Sequence, residues 1–246
     1  MSDITDDVGE GSDNFYSEAV MGDADHDGKP ELYRGMITYV GPGEYDFDYF
    51  IRVREFNSDM TYTDTDLPFW GICYDIGDFD GNGLTDLLVQ DGIPGSGPGT
   101  GTGILRVYES LDASSFPMIE KWETSFLGNG ITSARFADTD NDGNKEILFN
   151  QNIAVDYGIA HIYEWDGQQF VDRFALPPFG WSNSFATADF DGDSRSEIVT
   201  TDFYYATAIV IECTGNNQWQ FLSTWNLPFS PIYGTSDVLR ATNCPD

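Results

Sequence analysis

Four short segments of the chain place oxygen-bearing side chains at the same offsets, which we number as positions 1, 3, 5 and 9 of a nine-residue motif. In chain order the sets are Asp23, Asp25, Asp27 and Glu31; Asp78, Asp80, Asn82 and Asp86; Asp138, Asp140, Asp142 and Glu146; and Asp189, Asp191, Asp193 and Glu197. Oxygens that converge from a tight loop are the ligands that a hard cation such as Ca²⁺ selects. The spacing therefore predicts up to four Ca²⁺ sites.

Two other interpretations of these segments are weaker. An EF-hand would need a bidentate Glu at position 12 and a following helix. Position 12 is instead Arg34, Val89, Phe149 or Thr200, and strand-like sequence follows. Asp-Gly segments are also ordinary turn formers, so one such segment would indicate only a turn. Four segments with acids at the same offsets favour metal sites.

The elements that must position these segments repeat with them. The first aspartates are separated by 55, 60 and 51 residues. After each motif come an apolar stretch, a loop, an alternating strand, a turn and a third strand, and a fourth stretch precedes the next motif. Four strands in each repeat of this length predict an all-β fold, a β-propeller with about four four-stranded blades. The alternating strands are Ile51–Phe56, Leu105–Ser110, Ile159–Trp165 and Ala208–Cys213.

The two ends of the chain bear on the number of blades. Residues 1–13 are acidic and aperiodic, which predicts a disordered lead-in, and residues 14–246 carry the blades. Residues 14–22 and 236–243 each supply a strand of the kind that precedes a motif, so four repeats carry one surplus strand. This favours a piece of a larger ring, with a complete four-bladed propeller as the alternative.

The acidic segments and the Phe-Gly-like corners before them, such as Pro177-Pro-Phe-Gly180, resemble FG-GAP or VCBS repeats. These calcium-loop blades occur in the heads of integrin α-subunits and in bacterial surface proteins. The resemblance implies that the carbonyls at position 7 complete the ligand sets. It also implies that Asn82 and Ser194, which replace an acid and the turn glycine, weaken the second and fourth sites. The position 7 residues are Lys29, Leu84, Asn144 and Arg195.

Charge limits the partners of this chain. Its 42 acids and 11 basic residues give a formal net charge of −31, which excludes nucleic acid and anionic membrane surfaces as partners by repulsion. Neither a membrane span nor a signal peptide is visible. Calcium loops of low affinity nevertheless work best where free Ca²⁺ is high, outside the cell. We therefore expect an extracellular or cell-surface protein.

Catalytic chemistry has little support. His26 lies inside a motif, His161 lies in a strand, and no nucleophile pattern accompanies either residue. A glutamate recurs once in each repeat, which predicts an outward-facing strand position rather than a catalytic role. The sequence thus favours a non-catalytic binding module. The alternative is a calcium-dependent polysaccharide lyase or hydrolase, because 42 acids permit many carboxylate pairs. The recurring glutamates are Glu55, Glu109, Glu164 and Glu212.

One set of loops is a candidate binding face. The loops 36–49, 91–103, 151–158 and 202–207 lie at equivalent places in the repeats, and several are rich in Tyr and Phe. Aromatic side chains beside acids suit the recognition of a protein or a carbohydrate, so these loops predict a ligand face. Ordinary loop packing would explain the same aromatic residues nearly as well.

Overall fold

The computed structural model describes residues 14–39, 47–91, 103–124, 130–154, 157–180, 184–202 and 206–226. These residues form sixteen strands in four antiparallel sheets of four strands each, and they include no helix. In every sheet the strands are neighbours in the order in which they follow one another along the chain. The all-β prediction is therefore confirmed, and we call the sheets blades 1 to 4.

The strands have the following bounds. Blade 1 contains β1 (Asn14–Gly22), β2 (Glu31–Tyr39), β3 (Phe47–Phe56) and β4 (Tyr62–Leu67); blade 2 contains β5 (Ile72–Gly77), β6 (Asp86–Asp91), β7 (Ile104–Ser110) and β8 (Pro117–Glu123). Blade 3 contains β9 (Ile131–Ala137), β10 (Glu146–Ala154), β11 (Tyr157–Trp165) and β12 (Phe170–Ala175); blade 4 contains β13 (Phe185–Ala188), β14 (Glu197–Asp202), β15 (Thr207–Gly215) and β16 (Gln218–Asn226).

Each acidic segment joins the first strand of a blade to the second. The stretch that precedes a motif therefore pairs with the strand that follows the same motif, as β5 does with β6 from Gly77 opposite Asp86. Because neighbouring strands are antiparallel, the acidic loops lie at the same end of the blades as the hairpins between the third and fourth strands. The loops between the second and third strands lie at the opposite end.

A separate apolar core fills each interface between successive blades. Side chains of blades 1 and 2 form one cluster, those of blades 2 and 3 a second, and those of blades 3 and 4 a third. The second strands of blades 2 and 3 are covered on both faces, so their apolar residues run consecutively instead of alternating, as in Leu87, Leu88 and Val89. This stacking of sheets face to face is the packing of propeller blades.

The first strands connect the blades in chain order. Contacts join β1 to β5, β5 to β9 and β9 to β13. The half-buried Asp75 carboxylate of β5 accepts a hydrogen bond of 2.8 Å from the backbone N–H of Phe136 in β9, and Arg135 donates to the carbonyl of Phe185 in β13 at 3.0 Å. Within the ranges given above, no comparable contact joins blade 4 back to blade 1. The described blades form an open arc.

Glycines in the corners before the blades allow close approach of neighbouring groups. A Cβ on Gly71 would lie 2.4 Å from Cγ1 of Val89, and a Cβ on Gly180 would lie 2.1 Å from a carboxylate oxygen of Asp202. The backbone N–H of Gly180 instead donates to Asp202 at 2.8 Å. These contacts give the Phe-Gly corners a packing role.

Two expectations about the chain ends fall outside the described residues. They are the disordered lead-in over residues 1–13 and the surplus strand over residues 236–243. Cys244 also lies there, whereas Cys73 and Cys213 are buried free thiols. No helix in the described part of the chain is long and apolar enough to cross a membrane.

Candidate metal centres

The acids of each motif converge in space. In three of the four loops, one carboxylate oxygen from each of the acids at positions 1, 3, 5 and 9 lies within 4.8 Å of the others. In the second loop the same holds for Asp78, Asp80 and Asp86, while Asn82 occupies position 5. All sixteen predicted side-chain ligands therefore lie on the four loops between first and second strands or at the first residue of the second strand. Oxygens at this separation can surround one cation.

Left-handed backbone conformations give the loops their tight curvature. At position 6, Gly28, Gly83 and Gly143 have φ of 84°, 84° and 98°, and Ser194 has φ of 72°. Ser194 therefore adopts the conformation that glycine supplies in the other loops, which is unfavourable for a residue with a Cβ. Position 4 is also left-handed in every loop, a feature that was not predicted from the sequence; its residues are His26, Gly81, Asn141 and Gly192.

The same four hydrogen bonds close every loop. The backbone N–H of position 6 donates to the acid at position 1, that of position 5 to position 3, that of position 7 to position 5, and that of position 2 to position 9. In the third loop the last of these joins Thr139 to Glu146 at 2.6 Å. The corresponding hydrogen bonds of the four loops have similar donor–acceptor distances. The backbone thus holds one side of each acid and leaves other oxygens facing the loop interior.

The acid at position 9 is the deepest member of each set. Its side chain is at most 2% exposed, and one of its oxygens accepts the hydrogen bond from position 2. The other oxygen is buried without a hydrogen-bond partner in every loop: Glu31 Oε1, Asp86 Oδ1, Glu146 Oε1 and Glu197 Oε1. A buried carboxylate oxygen without a donor is costly unless a cation or a proton satisfies it. This observation shows that the residues present fit a bound cation.

Burial has the expected effect on these acids when no cation is present. It raises the pKa of Glu31 to about 7 and the pKa of Asp86 to about 7, because the charged form loses its hydration. Burial also raises the pKa values of Glu146 and Glu197. A bound divalent cation would reverse this effect by favouring the ionised form.

The recurring strand glutamates do not face outward, so that prediction was wrong. The strand pairing sets Glu31 opposite Glu55, Asp86 opposite Glu109 and Glu197 opposite Glu212. Each glutamate therefore shares the buried face of the acid at position 9, and Glu164 and Glu212 are only 2% and 7% exposed. The glutamate does recur in every repeat, but only the strand register could show that a further carboxylate lies behind each loop.

A basic side chain contacts this strand glutamate in three blades. Lys29 Nζ lies 2.6 Å from both Asp27 and Glu55. Lys121 of β8 lies 2.8 Å from Asp80 and donates to Glu109. In blade 4, Arg195 lies 3.6 Å from Glu212. The role of Lys121 could not be predicted from the sequence, because this residue is 41 positions away from Asp80.

Hydrogen bonds also join each loop to the next blade. Thr85 Oγ1 donates to the carbonyl of Ala24 at 3.0 Å, and the N–H of Lys145 donates to the carbonyl of Phe79 at 2.9 Å. In the same way, Trp219 Nε1 of blade 4 donates to Thr139 Oγ1 at 3.0 Å. Position 2 of each of the first three loops is therefore an attachment point for the following blade.

The predicted ligand face lies mostly outside the described residues. Of its aromatic side chains, the structure places Tyr157, which is 47% exposed. His161 is packed between neighbours: its ring stacks on Phe149, and its nitrogens lie 3.0 Å from Asp172 and from Gln151. Burial lowers the pKa of His161. These contacts give His161 a structural role in blade 3.

Comparison with known proteins identifies the repeat. The model of the family described as FG-GAP-like repeat matches residues 78–149, which run from the second acidic loop through the third and into β10. Residues 78–149 match an FG-GAP-like repeat. Blades 1 and 4 have the same loop geometry as this matched segment. No protein in the curated set matches the chain.

One solved structure similar to this chain is a GH43 β-1,3-galactosidase with galactodeoxynojirimycin. The two share 10% sequence identity with a TM-score of 0.48, and the match covers 87% of this chain and 77% of that protein.

Proposed function

We propose that each acidic loop of this FG-GAP repeat protein binds one Ca²⁺ and that the ions hold the blade ends in place. The buried, donor-free oxygen of the acid at position 9, present in all four loops, is the observation that supports this proposal most directly. The side chains at positions 1, 3 and 5 and the carbonyl at position 7 would supply the other ligands. The role of the cation is to neutralise carboxylates that otherwise repel one another.

The four sites should differ in affinity. Both the first and the third loop keep four carboxylates and the glycine at position 6. In the first loop, however, the Lys29 ammonium already binds Asp27, and a bound Ca²⁺ would have to compete with this contact. No Lys or Arg of the described residues forms an ion pair with an acid of the third loop. We therefore expect the third loop to bind Ca²⁺ most tightly.

Replacing Asp140 with Ala tests the metal role of the loops directly. In Ca²⁺, we expect Asp140→Ala to lower the free energy of unfolding by about 2–3 kcal/mol more than it does in chelator, since a filled site contributes about this much at saturating metal. Without Ca²⁺ the variant loses only the hydrogen bonds from Asn217 and Asp142. Denaturant unfolding in both conditions measures the difference.

A matched control comes from an acid that only closes a turn. Asp112 accepts hydrogen bonds from Ser114 on the protein surface and belongs to none of the acidic clusters. Asp112→Ala should therefore cost the same in Ca²⁺ and in chelator. If Asp140→Ala behaved like Asp112→Ala, the acidic loops would be turns and not metal sites.

We further propose that the chain is a non-catalytic module for extracellular or cell-surface recognition of a protein or a carbohydrate. Low-affinity calcium loops are filled where free Ca²⁺ is in the millimolar range, which supports this location. The ligand face would lie at the end of the blades opposite the acidic loops. Calcium would then act on the ligand at a distance, by fixing the blades that carry the ligand loops.

Binding and product assays separate recognition from catalysis. The chain, immobilised in Ca²⁺, should retain members of a glycan or surface-protein array, and chelator should release them. Incubation with acidic polysaccharides should give no new reducing ends and no unsaturated sugar products. Turnover would instead establish the lyase or hydrolase alternative, and retention that is equal in Ca²⁺ and chelator would remove the proposed link between metal and recognition.

A further inference from the structure

A cavity lies beside the third acidic loop. In the equivalent place, the other blades have an ion pair instead. Its volume is about 580 Å³, and blades 2, 3 and 4 all contribute to its wall. Oxygen-bearing side chains dominate the lining, together with Trp165 and one guanidinium group. The polar and charged lining residues include Asp80, Asp142, Asn144, Glu164, Arg173 and Asn217.

Glu164 is the deepest acid in this cavity. Its side chain is 2% exposed, and its Oε2 atom is buried without a hydrogen-bond partner. It lies within hydrogen-bonding reach of Glu146, whose Oε1 atom is also buried without a partner. Two buried carboxylates thus meet with no donor between them. An arrangement of this kind is costly unless a cation or a shared proton satisfies the facing oxygens.

In the other three blades, a basic side chain supplies this positive charge. Glu55, Glu109 and Glu212 occupy the same strand position as Glu164, and each contacts a Lys or Arg side chain. The ammonium groups in blades 1 and 2 also contact an acid of the neighbouring loop, Asp27 or Asp80. A cation that joins the strand glutamate to the loop is therefore a recurring part of these blades.

Blade 3 has a basic residue, Arg173, at the equivalent position, but its side chain forms no ion pair with Glu164. Lys121 lies at the irregularity in the pairing of β7 with β8, and Arg173 lies at the matching irregularity between β11 and β12. Arg173 is exposed and lines the same cavity as Glu164, yet it forms no ion pair with any acid in the described ranges. Position 7, which carries Lys29 in the first loop, is the neutral Asn144 in the third.

We propose that this cavity is a second cation site, in which a divalent metal ion binds to Glu164 and bridges it to Glu146 and Asp142 of the third loop. Oxygen ligands alone suit Ca²⁺ or Mg²⁺, and the open side of the cavity leaves room for water ligands. One Ca²⁺ in the loop would neutralise only two of the five carboxylates gathered here. The second ion therefore replaces the basic side chain of the other blades.

This inference rests on the proposed calcium function, because the second ion shares Glu146 and Asp142 with the loop ion. It changes the expected metal content of the protein: four loop ions plus one give five. Glu164 itself is a ligand of the second ion only.

Equilibrium dialysis of the intact chain against Ca²⁺ tests the stoichiometry. The wild type should bind five ions, and Glu164→Gln should bind four. Asn144→Lys should also bind four, because its ammonium would reach Glu164 as Lys29 reaches Glu55, while the carbonyl of position 7 stays in the loop. Asn144 is partly exposed, so this variant should fold even where Glu164→Gln does not.

Leu84→Lys is the matched control for the added charge. It places a lysine at position 7 of the second loop, where Lys121 already contacts Glu109, and it should leave the count at five. A count of four in the wild type that stays at four in Glu164→Gln and Asn144→Lys would overturn the second site alone. Absence of Ca²⁺ binding in every protein would overturn the proposed function as well.

Discussion

Addition of Ca²⁺ to the chelator-treated protein should raise its melting temperature by roughly 20 °C or more. Each site contributes about 2.7 kcal/mol when free Ca²⁺ exceeds the dissociation constant 100-fold, so four loops contribute roughly 11 kcal/mol if the blades unfold together. In a chain of this size, 1 kcal/mol shifts the melting temperature by about 2–4 °C. Calorimetric melts at increasing free Ca²⁺ measure the effect.

The same melts have a pH dependence whose sign follows from the acids at position 9. In chelator, burial raises the folded-state pKa of Glu31 and of Asp86 to about 7, above the ordinary range of about 4. A neutral carboxyl therefore favours the folded state fully below pH 4, and this stability is lost as the pH rises through 7. Without Ca²⁺ the melting temperature should therefore fall as the pH rises from about 4.5 to about 7.

The rise in melting temperature that Ca²⁺ produces should have the opposite pH dependence. Metal binding needs ionised carboxylates, so the difference between the Ca²⁺ and chelator melts should grow with pH. Acids with lowered pKa values, such as Asp64, titrate below this window and do not disturb it. A melting temperature that ignored Ca²⁺ at every pH would contradict both the sites and the origin of the pKa shifts.

Phe79→Ala should destabilise the protein by about 3–5 kcal/mol, the usual cost of truncating a buried aromatic residue. Phe79 is fully buried at position 2 of the second loop, and its ring packs on Phe136, Trp165 and Phe170 of blade 3. The Lys121 ammonium lies 5.1 Å from the centre of the same ring. The loss should appear in Ca²⁺ and in chelator alike, because it removes packing and no metal ligand.

Phe190→Ala is the matched control for Phe79→Ala. Phe190 occupies position 2 of the fourth loop and donates the same backbone hydrogen bond, to Glu197, but its side chain is 46% exposed. Its truncation should change the free energy of unfolding by no more than about 0.5 kcal/mol. Equal losses in the two variants would show that the loop itself, and not the interface between blades 2 and 3, limits stability.

The sequence predicted the strands and acidic loops well because both depend on local patterns. Acids at fixed offsets and alternating strands such as Leu105–Ser110 repeat four times, and each copy supports the assignment of the others. The assignment of strands to sheets was less direct, since only pairing shows that β1 belongs with β2 and not with a preceding blade.

The features that the sequence did not reveal depend on contacts between distant residues. Glu164 carries the same pattern as any strand glutamate, and its burial follows from strand register and from the neighbouring blades. Lys121 and Arg173 hold equivalent places, yet Lys121 contacts Asp80 and Arg173 contacts no acid in the described part of the chain. Long side chains at equivalent positions can reach different partners, and repeat spacing alone cannot distinguish them.

The hydrogen bonds that close each loop have a consequence for how such a chain can diverge. They use the side chains of positions 1, 3, 5 and 9 and the backbone of positions 2, 5, 6 and 7, so they place no demand on the side chains of positions 2, 7 and 8. Position 2 is accordingly Ala24, Phe79, Thr139 or Phe190. A duplicated blade would keep the same loop without further adaptation. Its relation to the other blades would soon be recognisable only from its aspartates and glutamates.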